Sequence, residues 1–173
     1  MTNPKITSKI FLCVFIVLIT FSVPIMAQRP LATFKSTVKA SGVLLDSVKI
    51  TVIDNTAVIA EGITKKDGKF KFSSFYNKTV TVEFEKPGYL KQIIRISTYI
   101  PPRIIADDMS MVYVVEMLPL PANNADLHFD KPTEEIFLDT TQGKFVFNSE
   151  YKAKIKEEFD ALKKSLSGGV TTN

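Results

Sequence analysis

A short polar turn between two runs of alternating apolar and polar residues constrains the fold of this chain most strongly. The turn spans residues 64–70 and reads Thr-Lys-Lys-Asp-Gly-Lys-Phe. Its Asp67-Gly68 pair favours a β-hairpin, because glycine takes positive φ at little cost and aspartate hydrogen-bonds the local backbone. A second turn, Lys-Pro-Gly-Tyr, lies at residues 86–89. The two turns predict a small domain built from β-strands.

Strand-like alternation continues on both sides of these turns. In the segment Val80–Phe84, the apolar side chains lie on one face, whereas Thr81 and Glu83 lie on the other. Short strands with turn signals every 8–12 residues or so are typical of a two-sheet Greek-key sandwich. The seven predicted strands are Phe34–Lys39, Val48–Val52, Ala57–Thr64, Lys69–Phe72, Val80–Phe84, Leu90–Ser97 and Met111–Leu118.

The first residues of the chain carry the pattern of a secretory signal. Lys5 and Lys9 precede an apolar run over residues 10–21, and Ala27 offers the small side chain that signal peptidase requires. We therefore predict a signal peptide over residues 1–27. The mature protein is expected in the periplasm or in association with the outer membrane.

Cleavage before Gln28 would also determine the chemistry of the mature chain. It removes Cys13, the single cysteine, so that no disulfide, thiol nucleophile or cysteine metal site remains. It leaves 20 basic against 18 acidic residues, a net charge of +2, which gives no indication of a nucleic-acid partner. An uncleaved membrane anchor is the alternative, and Pro24 in the apolar stretch disfavours it.

The order of strands and turns resembles the carboxypeptidase regulatory-like domain, a transthyretin-like sandwich of the prealbumin type. Four motifs carry the resemblance: Val48-x-Ile50-x-Val52, Thr64-x-x-Asp67-Gly68-x-Phe70, Val80-x-Val82-x-Phe84 and Gly88-Tyr89. The resemblance covers roughly residues 32–118 and implies a seven-stranded sandwich, so that we assign the domain to residues 28–118. It also implies that Asp67, Gly68, Gly88 and Tyr89 are structural turn residues. Similar domains occur in exported envelope proteins of Bacteroidota.

A different pattern follows the predicted sandwich. Residues 119–132 contain prolines and asparagines and predict a linker. Residues 133–167 predict a short hairpin and an amphipathic helix that begins at Ser149. Gly168-Gly169 ends this helix, and residues 168–173 are expected to be disordered. The apolar stripe of the helix must pack on its own sandwich or on a partner, and the sequence leaves both alternatives open.

Apolar side chains of this C-terminal segment are the candidates for partner docking, because aromatic residues dominate binding hot spots. The expected partner is another envelope protein, bound by strand addition or by a helix in a groove. The candidate docking residues are Phe137, Phe145, Phe147, Tyr151, Ile155, Phe159 and Leu162.

The sequence offers little for catalysis. His128 is the single histidine, and it lies between Asp126 and Asp130 in the predicted linker. A solvated histidine is favoured there over a metal ligand, so that a metal-dependent hydrolase is the least favoured function. We predict no catalytic, cofactor-binding or metal-binding residues, no cofactor and no small-molecule substrate.

These patterns together predict a non-catalytic exported adaptor, an accessory component of an outer-membrane or secretion-associated complex. The alternative is a carbohydrate or cell-wall binding module. Its aromatic candidates are Tyr76 and Tyr99, and the absence of tryptophan disfavours it. The chain is not expected to be an enzyme.

Overall fold

The computed structural model describes residues 31–102, 108–121 and 127–167. The predicted signal peptide, Asp107, Asp126 and the predicted disordered residues 168–173 lie outside the described residues. No helix in the described ranges is long and apolar enough to cross a membrane. The elements are β1 (Leu31–Ala40), β2 (Val43–Leu44), β3 (Lys49–Asp54), β4 (Ala57–Ile63), β5 (Lys69–Phe75), β6 (Thr79–Glu85), β7 (Gln92–Ser97), β8 (Met109–Glu116), β9 (Glu134–Asp139), β10 (Lys144–Phe147) and helix α1 (Ser149–Ser167).

The strands form two sheets whose inner faces share one hydrophobic core. In the four-stranded sheet, β1 pairs with β2 and β5 in antiparallel fashion and with β8 in parallel. The six-stranded sheet has the order β10-β9-β7-β6-β3-β4. Alternation places Phe34 of one sheet and Ile50, Val82 and Ile96 of the other in the fully buried core. The predicted mainly β sandwich with a C-terminal helix is confirmed.

Strands β9 and β10 belong to the six-stranded sheet, although the sequence predicted them as a separate hairpin. Strand β9 pairs in parallel with β7, so that Glu134 lies opposite Ile94 and Ile136 opposite Ile96. The ring of Phe145 on β10 packs edge-on against Phe34, with 5.0 Å between the ring centroids. The pairing covers the backbone edge that β7 would otherwise expose.

Helix α1 packs on its own sandwich. Its first turn is capped by Asn148, whose side-chain oxygen accepts a hydrogen bond from the backbone N–H of Tyr151 at 3.0 Å. The hydroxyl of Tyr151 donates to the carbonyl oxygen of Pro132 at 2.8 Å, and the guanidinium of Arg95 lies over its ring. Ile155 is buried. Of the two alternatives that the sequence left open, the structure shows the intramolecular one.

The turn at residues 64–70 connects the two sheets and is held by specific hydrogen bonds. The buried hydroxyl of Thr64 donates to the carbonyl of Leu45 at 2.8 Å and accepts from the N–H of Val48 at 3.0 Å. Gly68 has a φ of 63°, and its carbonyl accepts from the N–H of Val38 at 2.8 Å. The turn therefore joins strands of both sheets and helps to set their relative position.

Replacing Gly68 tests this close approach. A Cβ at this position would lie 2.6 Å from the carbonyl oxygen of Val38, and the positive φ is unfavourable for alanine. We expect Gly68→Ala to lower the free energy of unfolding by about 2–4 kcal/mol in urea denaturation. Gly143→Ala is the matched control, because Gly143 has the same φ of 63° but no atom within 4 Å of the added Cβ. Equal losses in both variants would contradict the proposed backbone contact.

Candidate functional site

Helix α1 and the neighbouring edge of the sandwich enclose a cleft of about 380 Å³, which we call the helix cleft. One side is formed by β7 and β8, one end by Thr133 and Glu134, and the other side by α1. The cleft exists because β9 pairs with β7 and the chain then returns as a helix over the same edge. Its walls therefore come from segments that are distant in sequence.

The interior of the helix cleft is mainly apolar. Ile94 and Val115 reach it from the two sheets, and Ile155 and Phe159 reach it from the helix. The ring of Phe159 is held in place by Phe129, at 5.3 Å between centroids, and by the ammonium group of Lys163, at 4.8 Å from the ring centroid. The aliphatic and aromatic walls suit the apolar part of a small organic molecule.

One polar side chain of the cleft, Gln92, lacks a hydrogen-bond partner. It lies on the inner face of β7 and is only 4% exposed, and its amide nitrogen Nε2 contacts no acceptor among the described residues. A buried donor without an acceptor costs about 1–3 kcal/mol. Gln92 also lines the helix cleft, so that a turn of its side chain toward the cleft would bring the amide to an acceptor atom of a bound molecule.

Charged groups of both signs line the helix cleft. Lys152 forms an ion pair with Glu134 at 3.1 Å. Lys156 lines the cleft, is exposed and forms no ion pair with any described residue. Glu116 and Asp160 add negative charge at other points of the lining. Lys156 is thus the lining cation best placed to meet an anionic group.

The buried interior next to the cleft contains a phenol. Tyr113 on β8 lies opposite Ser36 on β1, and neither hydroxyl has a hydrogen-bond partner among the described residues. Burial raises the pKa of Tyr113 far above its ordinary value; the negative charge of Glu134 adds to this, and the nearby hydroxyl of Ser36 opposes it. Tyr113 therefore remains a neutral hydrogen-bond donor throughout the physiological pH range.

The structure does not gather the predicted docking residues on one surface. Phe145 is part of the core, Tyr151 anchors the helix, and Leu162 is half-buried. Phe137 and Phe147 are 39% and 40% exposed, and they lie on opposite faces of the β9–β10 pair, because Phe137 is paired with Val146 and Phe147 with Ile136. The helix cleft takes up only Ile155 and Phe159.

The other candidates of the sequence lie away from the helix cleft. The side chain of His128 is 72% exposed, and its Nε2 lies 3.6 Å from Asp130 Oδ2. Tyr99 is 60% exposed, whereas Tyr76 packs against the core and its hydroxyl accepts a hydrogen bond from the N–H of Met109. Across the three described ranges, no group of three or more His, Cys, Asp or Glu side chains is placed to hold a metal ion.

Sequence reasoning missed the polar residues of the helix cleft. The position of Gln92 could have been predicted, because strand alternation places this polar side chain on the same inward face as Ile94 and Ile96. No sequence pattern identifies Glu134 and Lys156 as cleft residues, since their place in the lining depends on the parallel pairing of β9 and on the position of the helix.

Comparison with known proteins gives distant structural neighbours. No protein-family model matches the sequence, and no curated protein matches it. The chain is similar to 3-chlorocatechol 1,2-dioxygenase from Rhodococcus opacus 1CP, with a TM-score of 0.41 and 9% identity over 53% of this chain and 60% of that chain. It is also similar to catechol 1,2-dioxygenase from Acinetobacter sp. ADP1, with a TM-score of 0.42 and 10% identity over 63% and 59%.

A third neighbour is the dioxygenase domain of a dioxygenase carbohydrate-binding protein fusion from Streptomyces sp. SirexAA-E. The TM-score is 0.36 and the identity 13%, over 54% of this chain and 84% of that domain. The matched part spans about three fifths of the length of the first two neighbours.

These neighbours correct the functional prediction. The sequence predicted a non-catalytic adaptor and no enzyme, but the solved structures that are similar to this chain are dioxygenases. We therefore withdraw the prediction that this protein is a non-catalytic adaptor. At these identities and TM-scores, the reaction, cofactor and substrate of the dioxygenases are not carried over to this chain. The resemblance to the carboxypeptidase regulatory-like domain remains a prediction.

The raised pKa of Tyr113 predicts a pH-dependent loss of stability. The unfolded phenol ionises near its ordinary pKa of 10.0, whereas the folded phenol keeps its proton. As pH rises above this value, the unfolded state is favoured by up to about 1.4 kcal/mol per pH unit. Tyr113→Phe should remove this contribution without lowering stability at neutral pH, because the deleted buried hydroxyl has no hydrogen-bond partner.

The measurement is urea denaturation at about pH 9 and about pH 11, on either side of the ordinary tyrosine pKa. Wild-type protein should lose more stability between the two conditions than Tyr113→Phe does. Tyr99→Phe is the matched control, since it removes a hydroxyl from a ring that is 60% exposed. The same pH-dependent loss in wild type and in Tyr113→Phe would refute the assignment.

Proposed function

We propose that this protein is an exported β-sandwich that binds a small amphipathic organic anion in the helix cleft. The observation that carries the proposal is the unpartnered amide of Gln92, which is buried and lines the cleft. A side chain of this kind destabilises the free protein and gains a hydrogen bond only when an acceptor arrives.

The form of the cleft supports the class of ligand. Its volume of about 380 Å³ is that of a site for a small molecule. Its walls of Ile94, Val115, Ile155 and Phe159 accommodate an apolar body. Gln92 offers a hydrogen-bond donor at one point of the lining, and Lys156 offers an unpaired positive charge at another. A molecule with an aromatic or aliphatic body and a carboxylate, sulfonate or phosphate group would use all three features.

The exported location and the carboxypeptidase regulatory-like family are proposed on the basis of the sequence. The basic residues and the apolar run that precede Gln28 support export, and the spaced motifs around Asp67-Gly68 and Gly88-Tyr89 support a carboxypeptidase regulatory-like sandwich. Together they suggest that ligand binding takes place in a bacterial envelope, alongside another envelope protein. Detection of the processed chain in the envelope fraction, with an N-terminus at Gln28, is the corresponding test.

Binding of the fluorescent probe 1-anilinonaphthalene-8-sulfonate tests the cleft, because this molecule joins an aromatic body to an anionic group. We expect Gln92→Met to weaken probe binding by about tenfold, since it deletes one hydrogen bond to a charged acceptor. The same substitution should raise the free energy of unfolding by about 1 kcal/mol, because it removes an unsatisfied buried donor. Opposite effects on binding and stability distinguish a ligand contact from a structural residue.

Two matched substitutions serve as controls for this experiment. Gln142→Met makes the same change in the exposed β9–β10 turn and should leave probe binding unchanged. Lys156→Gln should weaken binding several-fold, whereas Lys154→Gln, on the same helix but outside the cleft, should not. Wild-type affinity in both Gln92→Met and Lys156→Gln would refute the proposed site.

A further inference from the structure

The outer face of the four-stranded sheet carries a cluster of lysines that the helix cleft does not involve. Strand alternation directs Lys35 and Lys39 of β1 and Lys69 and Lys71 of β5 to this side. Lys35 lies directly opposite Lys71 in the antiparallel register. We call the surface formed by these four side chains the lysine face.

Ion pairs within the described residues do not compensate the positive charge of the lysine face. None of its four lysines forms an ion pair. Glu116 is the acidic residue in register with the face, opposite Lys39 at one end, and its carboxylate accepts from the N–H of Gly42. Like charges in cross-strand contact are unfavourable, so that the face costs the folded protein stability unless an anion neutralises it.

The opposite outer face of the sandwich is built differently. On the six-stranded sheet, Lys91 lies 2.8 Å from Glu83 and 3.0 Å from Glu85, and Arg95 forms an ion pair with Glu135 across the β7–β9 pair. Charges of both signs are therefore paired on one side of the molecule, while one sign is concentrated on the other. Because of this asymmetry, a negatively charged surface would attract the lysine face more strongly than the opposite face.

Exposed apolar side chains lie among the lysines. Val112, opposite Lys35 on β8, is 69% exposed, and Val114, opposite Thr37, is 52% exposed. Phe75, at the far end of β5, is 52% exposed. A shallow groove of about 420 Å³ lies between Val112 and the side chains of Lys35, Lys69 and Lys71. A soluble polyanion would use the lysines alone, whereas a lipid surface offers anionic headgroups and apolar contacts together.

We propose that the lysine face is a docking surface for a bilayer that contains anionic lipids. The four ammonium groups contact phosphate groups of the lipid headgroups, while Val112, Val114 and Phe75 lie toward the boundary with the acyl chains. The sheet lies against the membrane, and the helix cleft borders it at β8, where Val114 and Glu116 also line the cleft. This proposal does not depend on ligand binding in the cleft.

Vesicle flotation of the full mature chain tests the proposal. Wild-type protein should float with vesicles that contain phosphatidylglycerol and phosphatidylcholine, but not with phosphatidylcholine alone, and added salt should release it. The double variant Lys35→Gln/Lys71→Gln should lower the partition coefficient by about 25-fold, or about fivefold for each lysine removed. The same variant should unfold at a higher urea concentration than wild type, because it removes a cross-strand repulsion.

Two further variants distinguish specific docking from general charge attraction. Lys144→Gln/Lys154→Gln lowers the net charge by the same amount outside the lysine face and should keep most of the vesicle binding. Val112→Ser should weaken binding to vesicles but not to soluble polyphosphate. The proposal is overturned by absence of binding to phosphatidylglycerol vesicles, by equal losses in the two lysine variants, or by polyphosphate binding without vesicle binding.

Discussion

The parallel pairing of β9 with β7 is the interaction on which the rest of the structure depends. It joins residues that are about forty positions apart, such as Ile96 and Ile136, and brings β10 into contact with the core through Phe145. It also places Pro132 where the hydroxyl of Tyr151 can bond to it, which holds α1 over the sheet edge. Without this pairing there is neither a covered edge nor a helix cleft.

Stability and recognition are in conflict at two places on this sandwich. In the interior, the hydroxyls of Ser36 and Tyr113 and the amide of Gln92 lack hydrogen-bond partners among the described residues. On the surface, Lys35 faces Lys71 without a compensating acid. Both arrangements raise the free energy of the folded state. In the proposals made above, a bound anion would supply the partner of Gln92 and an anionic surface would neutralise the lysines.

Much of the fold was predictable, but little of the candidate site. Alternating side chains and the Asp67-Gly68 turn indicate a β-sandwich because strand periodicity and positive φ are local properties. The docking hypothesis for the C-terminal residues rested on the same local pattern, which shows that an apolar stripe is present but not what covers it. Phe145 is consequently a core residue, while Gln92, which local alternation places inward, forms part of the helix cleft. The non-catalytic assignment rested on missing motifs, and the dioxygenase neighbours overturn it.

The sequence by itself determined the β class, the positions of the main turns, the inward face of each strand and the amphipathic character of the final helix. These properties follow from steric limits on φ and from the periodicity of side chains along one segment. Only the tertiary structure decided that β9 pairs beside β7, that α1 packs on its own sandwich, and that Lys35 and Lys71 become neighbours. Such contacts join residues far apart in the chain, and the free energy that selects them comes from burial and backbone pairing over the whole domain.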